Sequence, residues 1–231
     1  MLNVKQQKFI TAFLWITLAC LALSAVRYFY SGTIRHLYLP WNLFLALLPL
    51  VFAFASTQSK GVRAGIFALL WLAFLPNSFY IVTDFIHLNP IEANIEGYQV
   101  GNYRYANEAN SPGILFDAVL IFMYAAYGFF AGLLSISLIH DKLIKKVKSR
   151  QAWALVIGAI ALSSFAIYIG RVLRWNSWDI LARPGQLLAD VVDIFINPVQ
   201  NSEAWAMSGL FFFATASFYL FYRSLLYLAK R

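Results

Sequence analysis

Apolar residues run through this chain in six long blocks, at about 9–29, 38–55, 63–83, 114–139, 152–170 and 205–228, with polar intervals between them. Each is within or near the roughly 17–25 residues that an α-helix needs to cross the hydrocarbon of a bilayer. No water is available there to satisfy backbone N–H and C=O groups, so a spanning segment of this kind closes its own hydrogen bonds as a helix. The pattern predicts an all-α, polytopic membrane bundle of about six transmembrane helices. It forms a single domain over 1–231, with an interfacial helix or loops on one side. Lys5 and Lys8 precede the first block, and Ala22-Leu-Ser-Ala25 resembles a signal-peptide cleavage site. The apolar core is longer than the roughly 7–15 residues of a signal h-region, so an uncleaved span is expected.

Charge separates the intervals into two classes. With six spans, Lys5, Lys8, Lys60, Arg63, Lys142, Lys145, Lys146, Lys148, Arg150, Arg223, Lys230 and Arg231 fall on one side of the membrane. Arg27, Arg35, Arg104, Arg171, Arg174 and Arg183 fall on the other. Short basic loops stay in the cytoplasm, so both termini are expected there, in a multi-pass protein of the cytoplasmic membrane. Nine of the ten acidic residues, all but Asp141, lie on the opposite side or at the helix ends that face it. Acidic residues contribute little to orientation, so topology does not explain this bias. The longer loops, about 84–113 and 171–203, are also expected on that outer side, which is where function is sought.

Composition agrees with the hydropathy pattern. Hydrophobic residues make up 61% of the chain, against roughly 45–50% in a soluble domain. The net charge of +8 reads as topology and contact with anionic lipid, and Lys142–Arg150 as an anchor on such lipid. No nucleic-acid recognition motif accompanies the charge, so nucleic acid is not an expected partner. Cys20 is the one cysteine, which rules out an intramolecular disulfide.

Two polar segments interrupt the apolar texture at the outer level. The third block ends in LPNSFYIVTDFIHL, residues 75–88. At about 100° per residue, Asn77, Tyr80, Asp84 and His87 share one helical face. Pro76 removes a backbone donor and frees a carbonyl near Leu72. The second segment, YIGRVLRWNSWD at 168–179, ends the fifth block. Arg171 and Arg174 share a face, and their forked donors suit phosphate or carboxylate. Asn176 and Asp179 add short polar groups where that helix is expected to end. Trp41, Asn42 and Asp117 start the second and fourth spans at similar depth. As an ordinary alternative, all of these are span-end residues in an aromatic and cationic belt.

LPNSFYIVTDFIHL, PWNLFLALLP and GRVLRWNSWD resemble conserved segments of a bacterial integral-membrane family, domain of unknown function 1361. The resemblance runs from about the second span through the fifth. It implies that Asn77, Tyr80, Asp84, His87, Arg171, Arg174, Asn176 and Asp179 are family motif positions. It brings no established activity.

Several chemistries fit these residues. Asp84 and His87 form a candidate acid–base pair, with Asn42, Asn77, Tyr80, Arg171, Arg174, Asn176 and Asp179 as candidate substrate-binding groups. Their depth suits a lipid-linked phosphate substrate among the membrane lipids. Asp84, His87 and His36 are the candidate ligands for a divalent metal, without an HExxH or CxxC motif to support them, and no cofactor is expected. Transport lacks an internal repeat and mid-depth charges in the first, fourth and sixth spans. An assembly or scaffold role rests on Gly128-Phe-Phe-Ala-Gly132, which equally serves packing within the bundle. Residues 186–197, QLLADVVDIFIN, read as an amphipathic helix on the outer surface, with Asp190 and Asp193 toward water.

Overall fold

The computed structural model describes residues 4–31, 36–88, 98–100, 103–105, 112–175 and 179–229. The chain enters with α1 (Val4–Ser31), α2 (Tyr38–Gln58) and α3 (Gly61–Tyr80), and α3 continues as a 3-10 helix over Ile81–Leu88. After β1 (Tyr98–Val100) and β2 (Tyr103–Tyr105) come α4 (Pro112–Ile144), α5 (Ser149–Arg171), α6 (Asp179–Ala182), α7 (Pro184–Ile196) and α8 (Ser202–Leu228). Among the described residues the fold is helical apart from that strand pair, which sets Tyr98 opposite Tyr105 and Val100 opposite Tyr103 in antiparallel register.

Among the described residues, six segments are long and apolar enough to cross a membrane: Thr11–Tyr30, Tyr38–Gln58, Gly61–Leu88, Gly113–Ile144, Ser149–Arg171 and Ser202–Leu228. Their outward surfaces carry large apolar side chains, such as Leu14, Trp15, Leu69, Phe122, Leu162 and Phe213. In water such a surface is unfavourable; in lipid it is the solvated face. The chain is therefore a multi-pass membrane protein.

The residues sort into two compact units, one of 1–43 and 82–127, the other of 44–81 and 128–231. In the first, α1 and α4 are antiparallel and joined by polar rungs. Thr17 meets the Tyr127 hydroxyl at 2.9 Å, and Ser24 meets the Tyr124 hydroxyl at 2.8 Å. Tyr127 also donates to the Phe13 carbonyl at 2.8 Å. Thr17, Cys20, Ser24 and Arg27 recur at helical spacing and form the face of α1 that is withdrawn from the surface. The rungs give α1 its specificity of docking, since apolar contact alone distinguishes little between a helix and lipid.

The second unit is built on a core of Trp71, Leu75, Phe79, Leu133, Ile136, Ile160 and Tyr219, with their neighbours. Gly128 and Gly132 set how closely its helices approach. A Cβ on Gly128 would lie 3.0 Å from Ile81 Cγ2 and 3.1 Å from Ala46 Cβ, and one on Gly132 would lie 2.7 Å from Ser78 Cβ. The glycine pair is thus used in packing α4 against α2 and α3. Prolines loosen two turns, and a polar side chain reaches into each. Ser78 donates to the Ala46 carbonyl (2.6 Å) in the turn before Pro49. Asn77 Nδ2 donates to the Phe74 carbonyl (3.1 Å) in the turn that Pro76 opens. The carbonyls that the prolines themselves leave without an i+4 donor are those of Leu45 and Leu72, so these side-chain bonds fall in the loosened turns without replacing the lost ones.

Candidate functional site

The 3-10 geometry of Ile81–Leu88 changes the face expected from the sequence. Such a helix turns through about 120° per residue, so positions three apart eclipse. Asp84 and His87 therefore align with each other on one line, together with Ile81, and the regular progression from Asn77 and Tyr80 is broken at residue 81. The change of pitch also matches spacing. Three residues of 3-10 helix advance about 6 Å, as do four residues of α-helix. Across from Asp84 and His87, on the first turns of α2, stand Asn42 and Tyr38. Asn42 Nδ2 donates to Asp84 Oδ2 at 2.8 Å, and the Tyr38 and His87 rings lie 4.9 Å apart. Asp84 is 1% exposed, and a carboxylate at that depth requires hydrogen-bond donors of this kind.

The first unit carries a second polar group. Arg27, near the end of α1, grips Asp117, in the second turn of α4, with both Nε and Nη2; the Nη2–Oδ2 distance is 2.9 Å. His36 is buried, and its Nε2 lies 3.1 Å from the same carboxylate. Its ring is 6.4 Å from that of Tyr38, which thus neighbours both histidines of this unit. Bidentate Arg–carboxylate pairing fixes geometry as well as charge. Here it holds a carboxylate against an imidazole, an arrangement able to orient the ring and to stabilise its charged form. Sequence reasoning placed Asp117 at this level and His36 among metal candidates but did not connect either with Arg27. The available signal was the Thr17, Cys20, Ser24, Arg27 spacing within an otherwise apolar span.

The arginine-rich segment belongs to the second unit. Arg171 Nη1 donates to the Tyr80 hydroxyl at 3.1 Å, and its guanidinium carbon lies 5.5 Å from the centre of that ring. Arg174 is exposed and takes a left-handed backbone conformation, φ 58°. Among the described residues it has no ion pair. A left-handed residue after a helix is usually glycine or asparagine. Here the turn is closed by a bond from the Trp175 N–H to the Ile169 carbonyl, 3.2 Å. The Trp175 indole donates to Asp190 on α7 at 2.7 Å. The Arg183 guanidinium sits 4.7 Å over the same indole and bonds Asp179, 2.9 Å away. Trp175 therefore ties the turn to α7.

The structure thus brings Asn42, Asp84 and His87 to one set of contacts and Tyr80 and Arg171 to another. Asn77 bonds within its own helix, and Asp179 pairs with Arg183. Asn176 lies outside the described residues. Of the metal candidates, His36 is beside Asp117. Among the described residues no three His, Cys, Asp or Glu side chains gather closely enough to hold one ion. α7 presents Leu188, Val192, Phe195 and Ile196 on one exposed face and buries Ile194, so it is amphipathic as the sequence indicates.

Asp193, on α7 and outside the membrane spans, accepts from Asn197 Nδ2 at 2.7 Å and from Asn201 Nδ2 at 3.0 Å. These donors, Asn197 first, hold its carboxyl below the usual carboxylate range. The cluster joins the end of α7 to the start of α8.

No curated protein and no solved structure matches this chain. One family model does, over residues 41–218, which takes in Asn42, both polar segments and α7. On that match the chain belongs to the family described as protein of unknown function, DUF1361.

Proposed function

We propose that this protein binds or processes an anionic, lipid-linked substrate, such as a polyprenyl phosphate, at the outer leaflet of the cytoplasmic membrane. The observation that carries the reading is the turn after α5. An exposed arginine is held there in a backbone conformation that arginine seldom adopts, and the chain then leads into a helix with an exposed apolar face. Strained conformations persist where their surroundings enforce them, and they cluster at functional sites. A cation followed along the chain by a helix with an apolar face fits a ligand that has a charged head and a hydrocarbon tail. Arg171 and Arg174 are assigned to the anionic group; Asp84 and His87 are acid–base candidates within their own unit, beside Asn42 and Tyr38.

Purified protein in detergent should bind a polyprenyl phosphate and leave the uncharged polyprenol unbound. Equal binding of the two would overturn the assignment. The orientation is tested separately. A cysteine at position 108 should label from outside and one at 146 only from inside; the reverse pattern refutes it.

A non-catalytic role, in transport or assembly, is favoured by the burial of Asp84 and its bond to Asn42, which suit a structural carboxylate. Asp84→Asn separates the readings. Loss of function at unchanged protein abundance supports processing, whereas loss of the protein itself supports the structural role.

A further inference from the structure

The second unit has another polar system, far along the sequence from the arginine turn. His140, near the end of α4, is fully buried, and its Nδ1 is 2.7 Å from the hydroxyl of Tyr219 on α8. Among the described residues its Nε2 has no hydrogen-bond partner. The ring stands edge-on to Trp153 of α5, with centroids 4.5 Å apart. One turn beyond Tyr219, Arg223 Nη1 bonds Asp141 at 2.6 Å and Ser137 at 3.0 Å. Lys142 donates to the Ser56 carbonyl and hydroxyl.

Trp153 and Arg223 then form two walls of an open cavity of about 480 Å³, lined also by Leu220, Ser224, Tyr227 and Leu228. That volume lies in the range of small-molecule sites. Its composition is divided: apolar side chains and an indole on one part, a guanidinium on the other. A guanidinium has five N–H donors, and among the described residues the Asp141 and Ser137 bonds use only Nη1, which leaves Nε and Nη2 to a ligand. The surrounding charge is positive. Lys145, Lys146, Lys148 and Arg150 are exposed in the α4–α5 turn and the first turn of α5, and Arg150 precedes Trp153 by three residues.

We propose that this cavity is a binding site for an anionic phospholipid, with an acyl chain along Trp153, Leu220 and Leu228 and the phosphate on Arg223. The polar cluster behind it is positioning structure. Asp141 and Ser137 aim the guanidinium, and His140 with Tyr219 fixes the indole wall. The site is independent of the turn at Arg174.

Native mass spectrometry of the full chain in detergent, with dioleoylphosphatidylglycerol or dioleoylphosphatidylcholine added, tests it. The expected result is one retained phosphatidylglycerol and no retained phosphatidylcholine. Arg223→Gln should weaken retention about tenfold, the loss of one charge-assisted contact. Ser224→Trp should abolish it by filling the cavity from an exposed position whose hydroxyl bonds only its own helix. That variant also keeps the test open if Arg223→Gln does not fold. Arg174→Gln should leave retention intact. Equal retention of the two lipids, retention unaffected by Ser224→Trp, or displacement by glycerol 3-phosphate would each overturn the proposal.

Discussion

Arg27 and Arg171 both sit near the end of a spanning helix, and they are held in different ways. Arg27 is neutralised by a carboxylate, Asp117, which it grips with two nitrogens and which His36 also approaches. Arg171 is held by a phenol and the face of its ring, and its neighbour Arg174 is exposed in a left-handed turn. A phenol and an aromatic face orient a guanidinium without cancelling its charge. The comparison separates Arg27, whose charge is met by a carboxylate inside its own unit, from Arg174, which is exposed and has no ion pair among the described residues.

The largest expected effect falls on the first of these. Asp117→Ala leaves Arg27 in a confined place without its counter-charge and should cost about 3–5 kcal/mol, read from thermal unfolding in detergent. Adding Arg27→Ala should recover most of that loss. A cost well below 1 kcal/mol for Asp117→Ala alone would make the pair a surface contact and remove the contrast. Tyr80→Phe should be milder, about 1 kcal/mol or less. It removes a hydroxyl and keeps the ring beneath Arg171, so binding of an anionic lipid should persist.

The smallest effect concerns the α7–α8 junction. Because the Asp193 carboxyl is held below its ordinary value, its contribution is fully present above the ordinary carboxylate range. It is lost as pH falls through the lowered folded value. Asn197→Ala should move the Asp193 titration upward toward that ordinary range, as NMR of the carboxyl would register. An unchanged titration would mean that the Asn197 bond contributes nothing.

Most of the helical architecture was legible in the chain, because hydrocarbon thickness dictates segment length and the six apolar blocks stand clear of their polar intervals. The amphipathic α7 was legible for a similar reason, since its apolar residues recur at helical spacing. What escaped was decided by tertiary contact or by pitch. The Arg27–Asp117–His36 group assembles residues from three separate stretches; the Thr17, Cys20, Ser24, Arg27 spacing marks a polar face on α1 but not the partners it meets. The 3-10 pitch of Ile81–Leu88 changed which of Asn77, Tyr80, Asp84 and His87 share a line, and a uniform α-helical step hides this. The pairing of Tyr98–Val100 with Tyr103–Tyr105 falls within the interval expected as a loop, about 84–113, and its signal in the chain is YQVGNYRY, with aromatic positions around Gly101-Asn102. The Trp175 bond to Asp190 joins the turn after α5 to α7 across fifteen positions, and no local pattern marks it.

The central claim is that the charge at the turn after α5 is kept for an anionic lipid-linked ligand, and its most direct test is the affinity of purified protein for a polyprenyl phosphate before and after Arg174→Gln. The exposed position of Arg174 makes the variant benign for stability. The account predicts a loss of about tenfold or more in affinity, with Ser224→Trp unchanged and the uncharged polyprenol bound by neither. Equal affinity in the wild-type protein and Arg174→Gln would contradict it.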